Sequence, residues 1–108
     1  MTTNKPVRKT TRPTPERYLK LKELLEAQET FPLDYIVKFI GKNTPLFASE
    51  VAGLESARPE LKRQSRRESG QTASHVAFTY TLAAAPDADA IIDVLIDVSM
   101  LQDVLVVL

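Results

Sequence analysis

Two stretches of the chain alternate apolar and polar residues with period two, and that periodicity restricts the fold more than any other feature. Over residues 33–40, Leu33, Tyr35, Val37 and Phe39 take one parity, and Asp34, Ile36, Lys38 and Ile40 take the other. Over residues 74–82, Val76, Phe78, Tyr80 and Leu82 oppose His75, Ala77, Thr79 and Thr81. Successive side chains of a strand point to opposite faces, so each stretch reads as a strand with one buried and one open face. Burying the second parity would take Lys38, His75 and two threonines out of water, at roughly 2 kcal/mol or more for each unpaired group. The aromatic parity is therefore the core side.

Helical spacing fills the intervals. Thr44 and Pro45 open a helix that runs to about Ala57, with Phe47, Val51 and Leu54 on one face, and Pro59 closes it. Residues 61–68, polar and basic, precede a turn at Ser69 and Gly70 and read as a strand. Pro86 and Asp87 open a last helix through about Ser99, and residues 104–108 form a short, fully apolar strand. Gly41 is expected to end the first strand. The order after residue 30 is strand, helix, strand, strand, helix, strand, which predicts an α+β, ferredoxin-like βαββαβ sandwich. Right-handed crossovers place the first and third strands at the centre of a four-stranded antiparallel sheet, the second and fourth at its edges, and both helices on one face.

Ahead of this unit, residues 14–30 predict an extra amphipathic helix. Thr14 can cap it, Pro15 suits its first position, and Tyr18, Leu21, Leu24 and Leu25 recur on one side. Residues 1–13 hold nothing to bury and read as a disordered basic arm.

The charge balance fits that division. The chain of 108 residues has 14 Lys plus Arg and 14 Asp plus Glu. Yet Lys5, Arg8, Lys9, Arg12, Arg17, Lys20 and Lys22 face Glu16 alone over residues 1–22, so +6 there is balanced by −6 on the rest. Cysteine is absent, which excludes disulfides, thiolate nucleophiles and Cys-ligated metal sites. The first 15 residues carry only Met1 and Val7 as apolar side chains, and no apolar run approaches the roughly 18 residues of a membrane span. A cytoplasmic protein with no membrane partner is the expectation.

Several residues together resemble a known family, the YbeD-like proteins. They are Phe31, Pro32, Tyr35, Lys38 and Gly41 near the first strand, Gly70 and Ser74 at the hairpin, and Val104, Val107 and Leu108 at the end. The resemblance covers about residues 31–108. It implies a small bacterial domain with a ferredoxin-like fold similar to ACT regulatory domains, with no established reaction and no catalytic residues to carry over. A regulatory or adaptor module is what it implies.

Candidate sites follow from the sheet. Its open face should show Ile36, Lys38, Ile40, His75, Ala77 and Thr79, joined by Thr81 and, from the last strand, Leu105 and Val107. Such an apolar patch calls for a cover, and three are available: the chain's own first helix, a second copy, or a different protein. An RNA-recognition sheet needs exposed aromatics on its central strands, and here the aromatics take the core parity. Lys62, Arg63, Arg66 and Arg67 on the second strand can bind an anion such as phosphate or nucleic acid, or can protect the sheet edge from pairing. Asp89, Asp93 and Asp97, four residues apart on the last helix, read as a solvated acidic face, with Ile92 and Ile96 beside them.

Catalytic material is sparse. Ser74 and His75 are neighbours that should point to opposite faces and so form no dyad. Gly41, Gly53 and Gly70 build no phosphate loop. The expectation is therefore a non-enzymatic module with no catalytic, cofactor-binding or metal-binding residues, binding a protein partner or small ligand and able to dimerise. The alternative is an accessory nucleic-acid or ribosome contact made by the basic arm and the basic edge strand.

Overall fold

A computed structural model describes residues 13–108, so apart from Pro13 the expected basic arm lies outside the described residues. The element order is α1 (Glu16–Gln28), β1 (Leu33–Lys42), α2 (Pro45–Ala57), β2 (Leu61–Ser69), β3 (His75–Ala85), α3 (Ala88–Ser99) and β4 (Val104–Val107). The four strands form one antiparallel open sheet in the order β2-β3-β1-β4, with β1 and β3 central. The described residues thus form an α+β fold with one four-stranded sheet and three helices.

The alternation in β1 and β3 determines which face is buried. Val37, Phe39, Val76, Phe78, Tyr80 and Leu82 are all buried, while their neighbours of opposite parity are exposed or half-buried. Phe39 stacks on Phe78 and Tyr80 at ring-centroid distances of 5.7 and 5.8 Å, and Phe47 of α2 meets Phe39 edge-on at 6.1 Å. Aromatic pairs in these geometries add about 0.5–1.5 kcal/mol each beyond their buried area.

Helix starts are where the sequence places them in two cases of three. The Thr44 hydroxyl accepts from the Phe47 N–H at 3.0 Å, and the Asp87 carboxylate accepts from the Ala90 N–H at 2.9 Å. At α1 the cap position falls on Pro15 and no side chain caps the helix, so Thr14 does not have the expected role.

Gly41 does not end β1, which continues to Lys42. A Cβ on Gly41 would collide with the Phe47 ring, so the glycine is where α2 comes down onto the sheet. Its missing side chain makes room for that aromatic ring.

Helix α1 does not cross the open sheet face. It lies on the helix side against α3, with Arg17 donating to the Ser99 hydroxyl at 2.9 Å, the Tyr18 hydroxyl to the Leu95 carbonyl at 3.4 Å, and Lys22 paired with Asp89 at 3.0 Å. Asp89, Ile92, Ile96 and Ser99 fall on one stripe of α3, and the two isoleucines between these polar contacts are buried. The surplus hydrophobicity of α3 is thereby explained: a second face of this helix packs beneath α1.

Candidate functional site

The open sheet face carries the residues expected of it. The register pairs Ile36 with Thr81, Lys38 with Thr79, Ile40 with Ala77 and Lys42 with His75, which puts all eight on one side of the sheet. On β2 the same side shows Lys62, Ser65, Arg67 and Ser69, opposite Thr81, Thr79, Ala77 and His75. Among the described residues no helix lies across this face. Ile36 is 57% exposed.

The contribution of β4 differs from expectation by one position. An irregularity between Ile40 and Gly41 sets Val106 opposite Ile40 and Val107 opposite Phe39, so Val107 turns to the core side and packs partly against it. Val106 takes the open-face position, and Leu108 follows, donating its N–H to the Lys38 carbonyl at 2.8 Å. Leu105 sits at the irregularity and is exposed. Ile36, Ile40, Val106 and Leu108 make the β1–β4 side of the face largely apolar, with Lys38 of β1 standing between the two isoleucines, and Lys62 and Arg67 make the β2 side basic.

The four cations expected to act together on β2 are split by the pleat. Arg63 and Arg66 lie opposite Tyr80 and Phe78, on the helix side of the sheet, because a register shift between Arg63 and Ser65 resets the alternation. Both are engaged there. Arg63 pairs with Glu55 at 2.7 Å and its guanidinium sits 5.0 Å from the Phe78 ring centroid. Arg66 pairs with Glu68 at 3.1 Å. Among the described residues Lys38, Lys62 and Arg67 form no ion pair, so the free positive charge of this region faces the open side.

Arg63 belongs to a small polar cluster at the edge of the helix layer. The buried Tyr80 phenol donates to the Glu55 carboxylate, which also accepts from Arg63 Nε at 2.8 Å. Burial first, and then Glu55, push the Tyr80 phenol above its ordinary range. The cluster holds α2 to β2 and β3.

The aspartate stripe is not a solvated face. Arg58, immediately after α2, enters the helix layer and donates to Asp93 through Nη2 and to Asp97 through Nε, each at 2.6 Å, and to Glu60 through Nη1 at 3.2 Å. Burial alone would lower the Arg58 pKa, but its bonds to Asp93 and Asp97 outweigh that and hold it above the ordinary value. The reason for the departure is packing: α3 is apolar on nearly every side and covered by α1, so Asp93 is carried inside and needs a cation. The sequence contained the signal, an aspartate stripe on a helix with no polar face to spare.

Arg58 and Asp93 also floor a cleft of about 600 Å³ between the end of α2, the end of β3 and the start of α3. Ala57, Ala83, Ala84, Ala85 and Ala90 give it small walls. Four of the five guanidinium N–H groups already donate, to three carboxylates and the Asp93 carbonyl, so Arg58 holds the elements together and its positive charge is already compensated.

Ser74 Oγ lies 3.4 Å from His75 Nδ1, contrary to the expected separation. Ser74 precedes β3, beyond the alternation rule, and follows Ala73 at a positive φ of 53°. Both side chains are exposed and no third group orients the histidine among the described residues, so the pair lacks the enclosure of an acyl-transfer site. Among the described residues no cluster of three or more His, Asp or Glu is arranged to hold a metal ion, and no helix is long and apolar enough to cross a membrane.

Compared with protein-family models, curated proteins and solved structures, the chain finds no match.

Proposed function

We propose that the chain is a non-enzymatic binding module of the ferredoxin-like kind, similar in plan to YbeD-like and ACT-like regulatory domains, that works through its open sheet face and dimerises along the β4 edge. The observation that carries this reading is the position of α1. Because α1 packs on α3, the described residues leave one sheet face without helices, and Ile36, Val106 and Leu108 stay exposed on it beside the half-buried Ile40. An apolar surface of this kind next to a sheet edge supports a protein contact.

A second copy is the partner that fits the edge. Strand β2 carries four cations and β4 none, so β4 lacks the charged side chains that keep an edge from pairing with another strand. Two β4 strands paired antiparallel about a two-fold axis would join both sheets and bring the two largely apolar sides together, an isologous contact. Sedimentation of the full chain is expected to show a dimer at concentrations of about 10–100 μM, in the affinity range of a modest interface. Val106→Lys, which places a charge at this edge, is expected to leave a folded monomer. A wild-type monomer throughout that range removes the dimer.

The second reading, a nucleic-acid contact, is favoured by the unpaired Lys62 and Arg67. It has less support, since Glu55 and Glu68 neutralise Arg63 and Arg66 and, among the described residues, the open face offers no Phe, Tyr or Trp ring for base stacking.

A further inference from the structure

On the basic side of the open face lies a shallow basin of about 290 Å³, lined by Lys38, Ser65, Arg66, Arg67, Ala77 and Thr79. We infer that this basin is a binding site for a single phosphate group carried by a small ligand. The inference rests on the reading of the open face as the binding surface and gives that face a second occupant, away from the β4 edge.

The sheet register builds the site. Ser65, Thr79 and Lys38 form one row across β2, β3 and β1, and Arg67, Ala77 and Ile40 form the next row on the same side. Strands lie about 4.8 Å apart and the two rows about 6.6 Å, so Lys38 and Arg67 stand roughly 12 Å from each other, diagonally across β3. The small Ala77 leaves a hollow between them. Two long cationic side chains can therefore converge over β3 on one anion.

The chemistry selects phosphate. No carboxylate lines the basin, and among the described residues neither Lys38 nor Arg67 forms an ion pair. Arg66 is held by Glu68 and contributes to the rim only. Two full positive charges with the Ser65 and Thr79 hydroxyls between them match a tetrahedral dianion, which accepts from several directions at once. A carboxylate, with one charge and a planar pair of oxygens, would leave one cation uncompensated. A nucleic-acid strand needs a continuous basic track and stacking surfaces, whereas this basin is bounded by Ile36 and Ile40 on β1.

The test is a titration of the isotope-labelled full chain with inorganic phosphate, and with chloride at matched ionic strength, followed by amide and side-chain NMR shifts. Phosphate is expected to move Lys38, Ser65, Arg67, Ala77 and Thr79 saturably, with a Kd of about 1 mM, the range open to so small a ligand. Lys38→Gln and Arg67→Gln should each weaken binding about tenfold, the value of one charge-assisted contact. Lys62→Gln should weaken it less than about twofold, the ordinary effect of a distant surface charge. Shifts that match those from chloride, that fail to saturate, or that respond equally to all three substitutions overturn the site. A short single-stranded RNA that moves these residues while phosphate does not would overturn it in favour of a nucleic-acid surface. Sedimentation of the wild-type chain reads the dimer separately, so an absence of saturable phosphate binding beside an intact dimer defeats this inference alone. A dimer kept in Lys38→Gln and Arg67→Gln shows that their weaker phosphate binding is not a loss of assembly.

Discussion

Arg58 Nη2 stands 2.6 Å from Asp93 Oδ2, and the two side chains are only 5% and 6% exposed. The pair ties the end of α2 to the middle of α3. Taking one partner away leaves the other charged and buried, which typically costs about 3–5 kcal/mol against a total stability of about 5–15 kcal/mol.

Arg58→Ala is therefore expected to bring the protein close to unfolding at room temperature, read as a large drop in the urea midpoint. Arg58→Met with Asp93→Leu should recover at least half of the loss, because it removes the stranded charge and refills the space. Asp97 is less of a burden, since its side chain is a third exposed and can turn to water. An Arg58→Ala variant within about 1 kcal/mol of wild type, the scale of an exposed pair, would show that the contact is only a surface bridge.

The same residue marks where sequence reasoning stopped. Period-two alternation in β1 and β3 fixed the buried face, because each position has only two choices and one of them buries Lys38. Thr44 and Asp87 announced their helices because capping is a local hydrogen bond. Arg58 could not be found in this way, since its partners are 35 and 39 residues along the chain and depend on how α2 and α3 pack. The division of the basic strand was hidden for a related reason. One register shift after Arg63 reverses every later side chain, and no residue type in 61–69 signals it. The open-face residues of β1 and β3 were legible, and the basin they form with β2 was not.

Tyr80 gives a pH dependence. Its phenol, ordinarily titrating at 10.0, is pushed up by burial and by the Glu55 carboxylate it donates to. The unfolded chain then loses this proton before the folded one does. The stabilisation is complete below pH 10 and is lost as pH climbs from there toward the folded value, at up to about 1.4 kcal/mol per pH unit. Urea midpoints measured from about pH 8 to about pH 11 should fall more steeply for wild type than for Tyr80→Phe. Tyr80→Phe should begin about 1 kcal/mol lower, having lost one hydrogen bond. Parallel profiles for the two proteins would place the alkaline transition elsewhere; burial also raises the half-buried Tyr35 phenol.

Two glycines should respond oppositely to alanine. At Gly41 the added methyl would collide with the Phe47 ring, itself fixed between Phe39 and Phe78, so Gly41→Ala is expected to cost about 1–3 kcal/mol or more. At Gly53, inside α2, a Cβ would meet nothing within 4 Å. Gly53→Ala should therefore stabilise by about 0.5–1 kcal/mol through helix propensity alone. Thermal melts of the two variants decide the matter, and equal shifts would mean that α2 does not sit on Gly41.

The first helix provides the last prediction, because the boundary drawn at residue 30 from sequence alone divides a shared interface. The stripe Asp89, Ile92, Ile96 and Ser99 of α3 lies against α1, and Leu25 of α1 is buried in the same core. Each isoleucine so covered contributes about 1.5–3 kcal/mol, and removing α1 returns both to water. A chain reduced to residues 31–108 is thus expected to bind a hydrophobic dye strongly, to melt well below the full chain, and to aggregate as it does so. Ile92→Gln with Ile96→Gln in that shortened chain should lessen the dye binding and the aggregation without restoring the stability. If residues 31–108 melt at the temperature of the full chain and bind no dye, α1 is an appendage, and the open sheet face rather than α3 would be its place of rest.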